Sequence, residues 1–184
     1  MYNLRTMSVE CTTRELRENP NLLNGGTCVS PSFVVSLEPN PSLPALFLAG
    51  HSSGVVALHC CGRATPLTTH EVTSPGDLLS VLWAPLKPAA FFVVCRSGIV
   101  YEFDVCTNDS GPVAVHQLRC QSALTTARMS AKVWSRGAGA STLVTGACDG
   151  TVMYHLLKPH FSDEGDSQAG LDAIKHKFGA HVFG

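Results

Sequence analysis

The chain has 184 residues, of which 45% are hydrophobic and 15% are charged, and its formal net charge is −1. This composition excludes an intrinsically disordered chain, and the balanced charge gives no electrostatic footprint for nucleic acid or an anionic membrane. No run approaches the ~18 apolar residues that span a bilayer, and the polar N-terminus lacks the apolar core of a secretory signal. We therefore expect a cytosolic protein whose eight cysteines are reduced.

Short apolar runs separated by glycine and proline occupy most of the chain, which is typical of an all-β protein. Residues 1–30 are polar and are interpreted as a tail or the remnant of a preceding unit. Three four-stranded units are predicted after them, at about 31–75, 76–119 and 120–158. The runs assigned to strands are 32–37, 45–50, 55–60, 66–72, 78–83, 89–95, 99–105, 113–118, 124–129, 141–146 and 151–157.

A window of fourteen residues with one shape occurs three times, at 46–59, 90–103 and 142–155. Each window is an apolar run, a short break with glycine at the ninth place, and a second apolar run. The glycines are Gly54, Gly98 and Gly150, at spacings of 44 and 52 residues. Two strands around a tight glycine turn at about this period are typical of a β-propeller blade.

The segment 159–184 is predicted to be a C-terminal tail. Within it, Leu171, Ile174 and Phe178 follow one another at helical spacing, which predicts one short amphipathic helix.

In the middle unit, the motif VLWAP (residues 81–85) is followed by FFVV, by an S-G turn and by VYEFD. This order of motifs resembles a WD40 repeat, with Phe103-Asp104 where the Trp-Asp dipeptide usually falls. Within WD40 proteins, this unit and the linker NDSGPVA (residues 108–114) resemble the C-terminal propeller of dynein-2 intermediate chains, and so do residues 146–158. The resemblance covers about 78–158, and more loosely 32–60.

This resemblance implies a non-catalytic scaffold that binds the dynein heavy chain and other dynein-2 subunits in ciliary retrograde transport. It places the protein in the cytoplasm, the cilium and the cytoskeleton. Two alternatives stay open at this point. One is a WD40 adaptor of a coat, pore or axonemal complex, and the other is a thiol or metal enzyme that uses His59, Cys60 and Cys61.

The chemical motifs favour the scaffold. His59-Cys60-Cys61 lacks the paired C-x₂-C spacing of zinc sites, and the eight histidines are dispersed along the chain. The run DEGD at 163–166 lacks the alternating ligands of a calcium loop. No phosphate-binding or dinucleotide-binding glycine motif occurs. We therefore predict that the protein is not an enzyme and has no metal, cofactor or nucleic-acid partner.

The hairpin turns of a propeller gather on one rim, where loops on a rigid scaffold commonly carry recognition, although such turns can equally be merely solvated. The predicted protein-binding residues are His51, Ser52, Arg96, Ser97, Trp134 and Asp149. Trp134 lies in a loop with charged flanks, whereas Trp83 lies in an apolar run and is predicted to be core.

Three blades do not close a ring, since closed propellers have about four to eight. We therefore expect an incomplete ring, which further sequence or another chain completes.

Overall fold

The computed structural model describes residues 32–107, 111–133, 140–157 and 165–182. The predicted N-terminal tail at 1–30 and the loop with Trp134 lie outside these residues.

Eleven strands form three antiparallel sheets in which neighbours along the chain pair with one another. The first sheet contains β1 (Val34–Pro39), β2 (Leu46–His51), β3 (Val55–Cys60) and β4 (Thr68–Glu71). The second contains β5 (Leu78–Trp83), β6 (Ala90–Cys95), β7 (Ile99–Asp104) and β8 (Ala114–Gln117). The third contains β9 (Leu124–Val133), β10 (Ala140–Ala147) and β11 (Val152–Leu156), and it is followed by the helix α1 (Gly165–Val182).

The predicted all-β architecture is confirmed, and every predicted strand has an observed counterpart. The third sheet differs from the predicted four strands, because it has three in the described part of the chain. After Leu157 the described residues resume at Gly165, and the sequence between them begins with Lys158-Pro159 and has no alternating apolar run. No helix among the described residues has the length and apolarity needed to cross a bilayer.

The second sheet packs between the other two. Side chains alternate across a strand, so successive residues of β5 and β6 point to opposite faces, and both strands are buried throughout. The cluster between the first and second sheets includes Leu46, Leu48, Val56, Leu58, Val81, Trp83, Phe91, Val93 and Phe103. The cluster between the second and third sheets includes Leu82, Phe92, Val94, Val100, Leu124, Ala127, Leu143 and Ala147.

Trp83 is a core residue, as predicted. It is buried in the first cluster, with its ring edge-on to Phe91 at a centroid distance of 5.6 Å. Its indole Nε1 donates a hydrogen bond of 3.2 Å to the carbonyl oxygen of Glu38 in β1. The tryptophan therefore ties the first two sheets together with both its apolar and its polar part.

The helix predicted from Leu171, Ile174 and Phe178 is present and, at 18 residues, is longer than expected. Ile174 and Phe178 are buried in the cluster between the first and second sheets. Lys177 Nζ donates a 2.6 Å hydrogen bond to the carbonyl oxygen of Val105, which follows β7. The helix therefore covers the end of the cleft between these two sheets.

We predict that Ile174→Ala lowers the free energy of unfolding by about 2–5 kcal/mol, because it leaves a cavity in a packed core. Lys175→Ala is the matched control on the same helix and, because Lys175 is exposed, should change stability by less than about 0.5 kcal/mol. Urea unfolding monitored by circular dichroism measures both values. Equal effects of the two substitutions would contradict the packing of α1 against the sheets.

The three hairpin glycines adopt the backbone conformation that their spacing predicts. Gly54, Gly98 and Gly150 have φ angles of 87°, 84° and 85°, a region that residues with a Cβ rarely enter. Their surroundings differ. A Cβ at Gly54 would overlap the carbonyl oxygen of Thr73, whereas a Cβ at Gly150 meets no atom within 4 Å.

Alanine substitutions at Gly54 and Gly150 therefore allow the cost of the positive φ angle to be measured separately from the cost of steric overlap. Gly150→Ala should cost about 1 kcal/mol, from the unfavourable φ alone. Gly54→Ala should cost about 2–4 kcal/mol, because the backbone of residues 72–74 must also move away. Guanidinium unfolding of the two variants checks the prediction, and a Gly54→Ala variant as stable as Gly150→Ala would contradict it.

Candidate protein-binding surface

The hairpin turns and the connections between sheets meet at one end of the molecule. Backbone hydrogen bonds join them: Gly76 N donates to Ser52 O at 2.8 Å, and Arg96 N donates to Asp77 O at 2.7 Å. Cys148 N likewise donates to Ala123 O at 2.9 Å. We call this end, made of residues 51–54, 73–77, 96–98, 118–123 and 148–150, the turn rim.

Five of the six predicted binding residues lie on the turn rim, and Trp134 lies outside the described residues. Arg96, Ser97 and Asp149 are exposed, and Ser52 is half-buried. His51 is buried, with only 4% of its surface exposed, and burial lowers the pKa of its imidazole. Its burial leaves the His51 side chain little surface to offer to a partner. It lies on the face of β2 opposite to Gly50, which faces Leu78 and Val81 of the second sheet.

Asp77 organises the turn rim, although sequence reasoning did not select it. Its carboxylate accepts hydrogen bonds from Ser97 N at 2.9 Å, from Ser97 Oγ at 2.8 Å and from Thr73 Oγ1 at 3.1 Å. Partial burial by itself raises the pKa of Asp77, but these hydrogen bonds outweigh it and hold the pKa below its usual value. The Ser97 side chain is therefore already bonded within the molecule. The sequence signal that could have identified Asp77 is its place directly after the turn-forming pair Pro75-Gly76.

We predict that Asp77→Asn lowers the free energy of unfolding at pH 7 by less than about 1 kcal/mol, since the site is partly open to solvent. Because the pKa is lowered in the folded state, this stabilisation is present above the unfolded-state pKa of about 3.9 and is lost as the pH falls through the folded-state value. The difference between wild type and variant should therefore shrink on acidification, as urea unfolding at a series of pH values measures. A difference that grows towards low pH would contradict the prediction.

The third sheet has an uncovered apolar face. Strand pairing makes Val152 equivalent to Val56 and Val100, because these residues lie opposite Gly146, Gly50 and Val94 respectively. Val56 and Val100 are 1% and 3% exposed under the next sheet, whereas Val152 is 73% exposed. Tyr154 and Leu156 on the same strand are 71% and 60% exposed. We call the residues Val144, Val152, Tyr154 and Leu156 the open face.

The thiol and metal alternatives find little support in the geometry. His59 and Cys60 are buried at the end of β3, and the ring of Phe47 stacks on His59 at a centroid distance of 5.1 Å. Burial raises the pKa of the Cys60 thiol, which disfavours the nucleophilic thiolate. Within the described ranges, no group of three or more potential ligands is arranged to hold a metal ion.

Comparison with solved structures identifies the fold. The chain is similar to the crystal structure of Sqt1 from Saccharomyces cerevisiae, a WD40 protein, with a TM-score of 0.53. The match has 13% sequence identity and covers 68% of this chain and 31% of that chain. The fold is a WD40-like propeller segment. The predicted incomplete ring is therefore confirmed as the architecture of this chain.

Curated proteins add a likeness in sequence. The chain is 31% identical over 109 residues to cytoplasmic dynein 2 intermediate chain 1 of Homo sapiens, a match that covers 58% of the chain. It is 33% identical over 87 residues to the same protein of Mus musculus, a match that covers 47% of the chain. The matches span 10% and 9% of these relatives, so the chain corresponds to about a tenth of their length. No family model matches the chain.

Proposed function

We propose that the chain is a non-catalytic protein-binding scaffold and acts as an intermediate-chain-like subunit of the dynein-2 motor. The open face is the observation that carries the proposal. It leaves Val152, Tyr154 and Leu156 more than half exposed on the third sheet. The position of Val152 is buried in both preceding blades, and those of Tyr154 and Leu156 are buried in the first blade and half-buried in the second. Contiguous apolar surface of this kind marks a site of protein association.

The sequence likeness to dynein-2 intermediate chains supports the choice of assembly. The proposed partners are the dynein heavy chain and other dynein-2 subunits. The proposed setting is retrograde transport in the cilium, with the protein also present in the cytoplasm. The open face is mainly apolar, with exposed Arg128 paired opposite Val144 at its β9 side, which favours apolar contact together with an acidic group on the partner.

A further sheet is the proposed cover for the open face of the third sheet. At the first sheet, Val34 and Leu37 of β1 are exposed, whereas β2 and β3 are buried on both faces. A propeller buries such faces by stacking one blade on the next. Further blades, from a longer polypeptide or from a partner, would complete the ring.

The turn rim is the proposed second contact region. Arg96 and Asp149 are exposed there and carry opposite charges, so they suit polar contacts around an apolar centre. Ser52 is half-buried, and its Oγ accepts a 3.1 Å hydrogen bond from Phe33 N. We therefore propose that Ser52 contributes less to binding than Arg96 and Asp149 do. Trp134 remains a predicted contact.

Capture from extracts of ciliated cells tests the proposal. With the tagged full chain as bait, we expect quantitative mass spectrometry to recover the dynein-2 heavy chain in preference to the dynein-1 heavy chain. A double variant with Val152→Lys and Tyr154→Lys should reduce this recovery by about tenfold or more, because the open face is the proposed centre of the contact.

The matched control carries Val113→Lys and Val115→Lys, which add the same charges at exposed apolar positions on and beside β8. It should recover the heavy chain as well as wild type does. Recovery of coat, pore or axonemal subunits without the heavy chain would overturn the dynein-2 assignment. Equal losses in both double variants would overturn the role of the open face.

A further inference from the structure

The outer strands of the first two sheets share a sequence pattern and a docking geometry. Residues 66–72 (PLTTHEV) and 112–118 (PVAVHQL) both read proline, aliphatic, two variable residues, histidine, a polar residue and an aliphatic. In the first sheet, Leu67 N donates to Leu58 O at 2.7 Å and Val72 N donates to Gly54 O at 3.0 Å. In the second sheet, Val113 N donates to Glu102 O at 2.7 Å and Leu118 N donates to Gly98 O at 2.9 Å.

Among the described strands, the third sheet has the same two acceptors but no donor strand. Pairing within the hairpins makes Tyr154 equivalent to Leu58 and Glu102, and Gly150 is the hairpin glycine. In the part of the chain that the structure describes, no hydrogen bond reaches Tyr154 O or Gly150 O. The acceptor positions of an outer strand are therefore present and unused.

The backbone of β11 also presents a free edge. Leu157 N donates to Ser141 O and Ala147 N donates to Thr151 O, both at 2.9 Å. Bonds to the neighbouring strand recur at every second residue, so those to β10 fall at 151, 153, 155 and 157. The N–H and C=O groups of Val152, Tyr154 and Leu156 therefore point away from β10, towards the side where an outer strand would lie.

An apolar groove lies beside this edge. It has a volume of about 200 Å³ and is situated between β8 of the second sheet and β11. In the second sheet β8 is the outer strand, and among the described strands the third sheet has no outer strand to face it across the groove. The side chains that line it are Phe92, Val100, His116, Leu118, Leu143, His155, Leu156 and Leu157.

We propose that β11 is an acceptor for an extended segment of a partner protein that carries the pattern Pro-aliphatic-x-x-His-x-aliphatic. The segment adds to β11 as an antiparallel strand, a recognised mode of peptide binding. Its first aliphatic residue donates its N–H to Tyr154 O, and its second donates to Gly150 O. Side chains on the inner side of the added strand extend over the groove.

We assign the segment to a partner because both copies of the pattern in the 184-residue sequence are already in use. Of its eleven prolines, those at 66 and 112 begin the pattern, and both strands are already docked on their own sheets. The proposal rests on the scaffold function proposed above and deepens it by stating what kind of segment is bound.

Synthetic peptides provide the probe. A fluorescently labelled peptide with the sequence PVAVHQL should bind the full chain saturably in an anisotropy titration. In ¹⁵N-labelled protein, the amide shifts should concentrate on β11 and the turn at Gly150. The same peptide, N-methylated at its two hydrogen-bonding aliphatic residues, should bind at least about tenfold more weakly, because it lacks the two donors.

Two variants at one position separate backbone pairing from apolar adhesion. Tyr154→Pro removes an N–H on the free edge and leaves the bonds to β10 intact, a placement that edge strands tolerate. It should weaken peptide binding at least about tenfold. Tyr154→Thr keeps the N–H and removes the exposed ring, so its affinity should stay within about threefold of wild type. Circular dichroism melts establish that both variants are folded.

Several results would overturn the proposal. These are no binding of the unmodified peptide, equal binding of the N-methylated peptide, or equal binding by Tyr154→Pro. Sedimentation that shows a wild-type dimer, lost in Tyr154→Pro and not displaced by peptide, would assign the edge to a second copy instead. If peptide binding holds but the dynein-2 heavy chain is not captured, the strand site stands and the motor assignment fails. If Tyr154→Pro captures the heavy chain normally and does not bind peptide, the heavy chain binds elsewhere.

Discussion

The need to bury both faces of a sheet governs this molecule. Alternation along β5 and β6 sends apolar side chains to both sides of the second sheet, and one neighbouring sheet can cover only one of them. Stacking on the first and third sheets satisfies this need and produces two separate apolar clusters. The same requirement is unmet beyond the third sheet, where equivalent positions face solvent. Fold and candidate site therefore have a common physical origin.

We accordingly propose that recognition involves the third sheet more than the turns. Several polar groups of the turn rim bond to one another, as the hydrogen bonds from Ser97 and Thr73 to Asp77 illustrate. These bonds fix the connections between sheets and so hold the stack in register. The end of the stack, by contrast, has both an apolar face and an unpaired strand edge at Tyr154. A rigid rim and an open end together describe a scaffold.

The sequence predicted the local structure well because strands and hairpins depend on neighbouring residues. The strands β3 and β5 have the predicted bounds to the residue, and the glycine turns have the expected φ angles. Three features were not predicted: the burial of His51, the hydrogen bonds to the Asp77 carboxylate and the packing of α1 against the sheets. Each depends on residues that are distant in sequence, as the hydrogen bond from Lys177 to Val105 across 72 positions shows. The periodicity of side chains along a strand or helix does not indicate which distant residues will meet.

By itself, the sequence determined three glycine hairpins, their apolar strands and hence a propeller segment, since side-chain period and turn chemistry are local properties. The tertiary structure alone decided which of three equivalent valines is covered. Val56, Val100 and Val152 occupy the same place in their hairpins, and their exposure differs only because the first two have a sheet stacked on them. Burial is a property of the assembly of sheets, and so the open face emerged only from the packing.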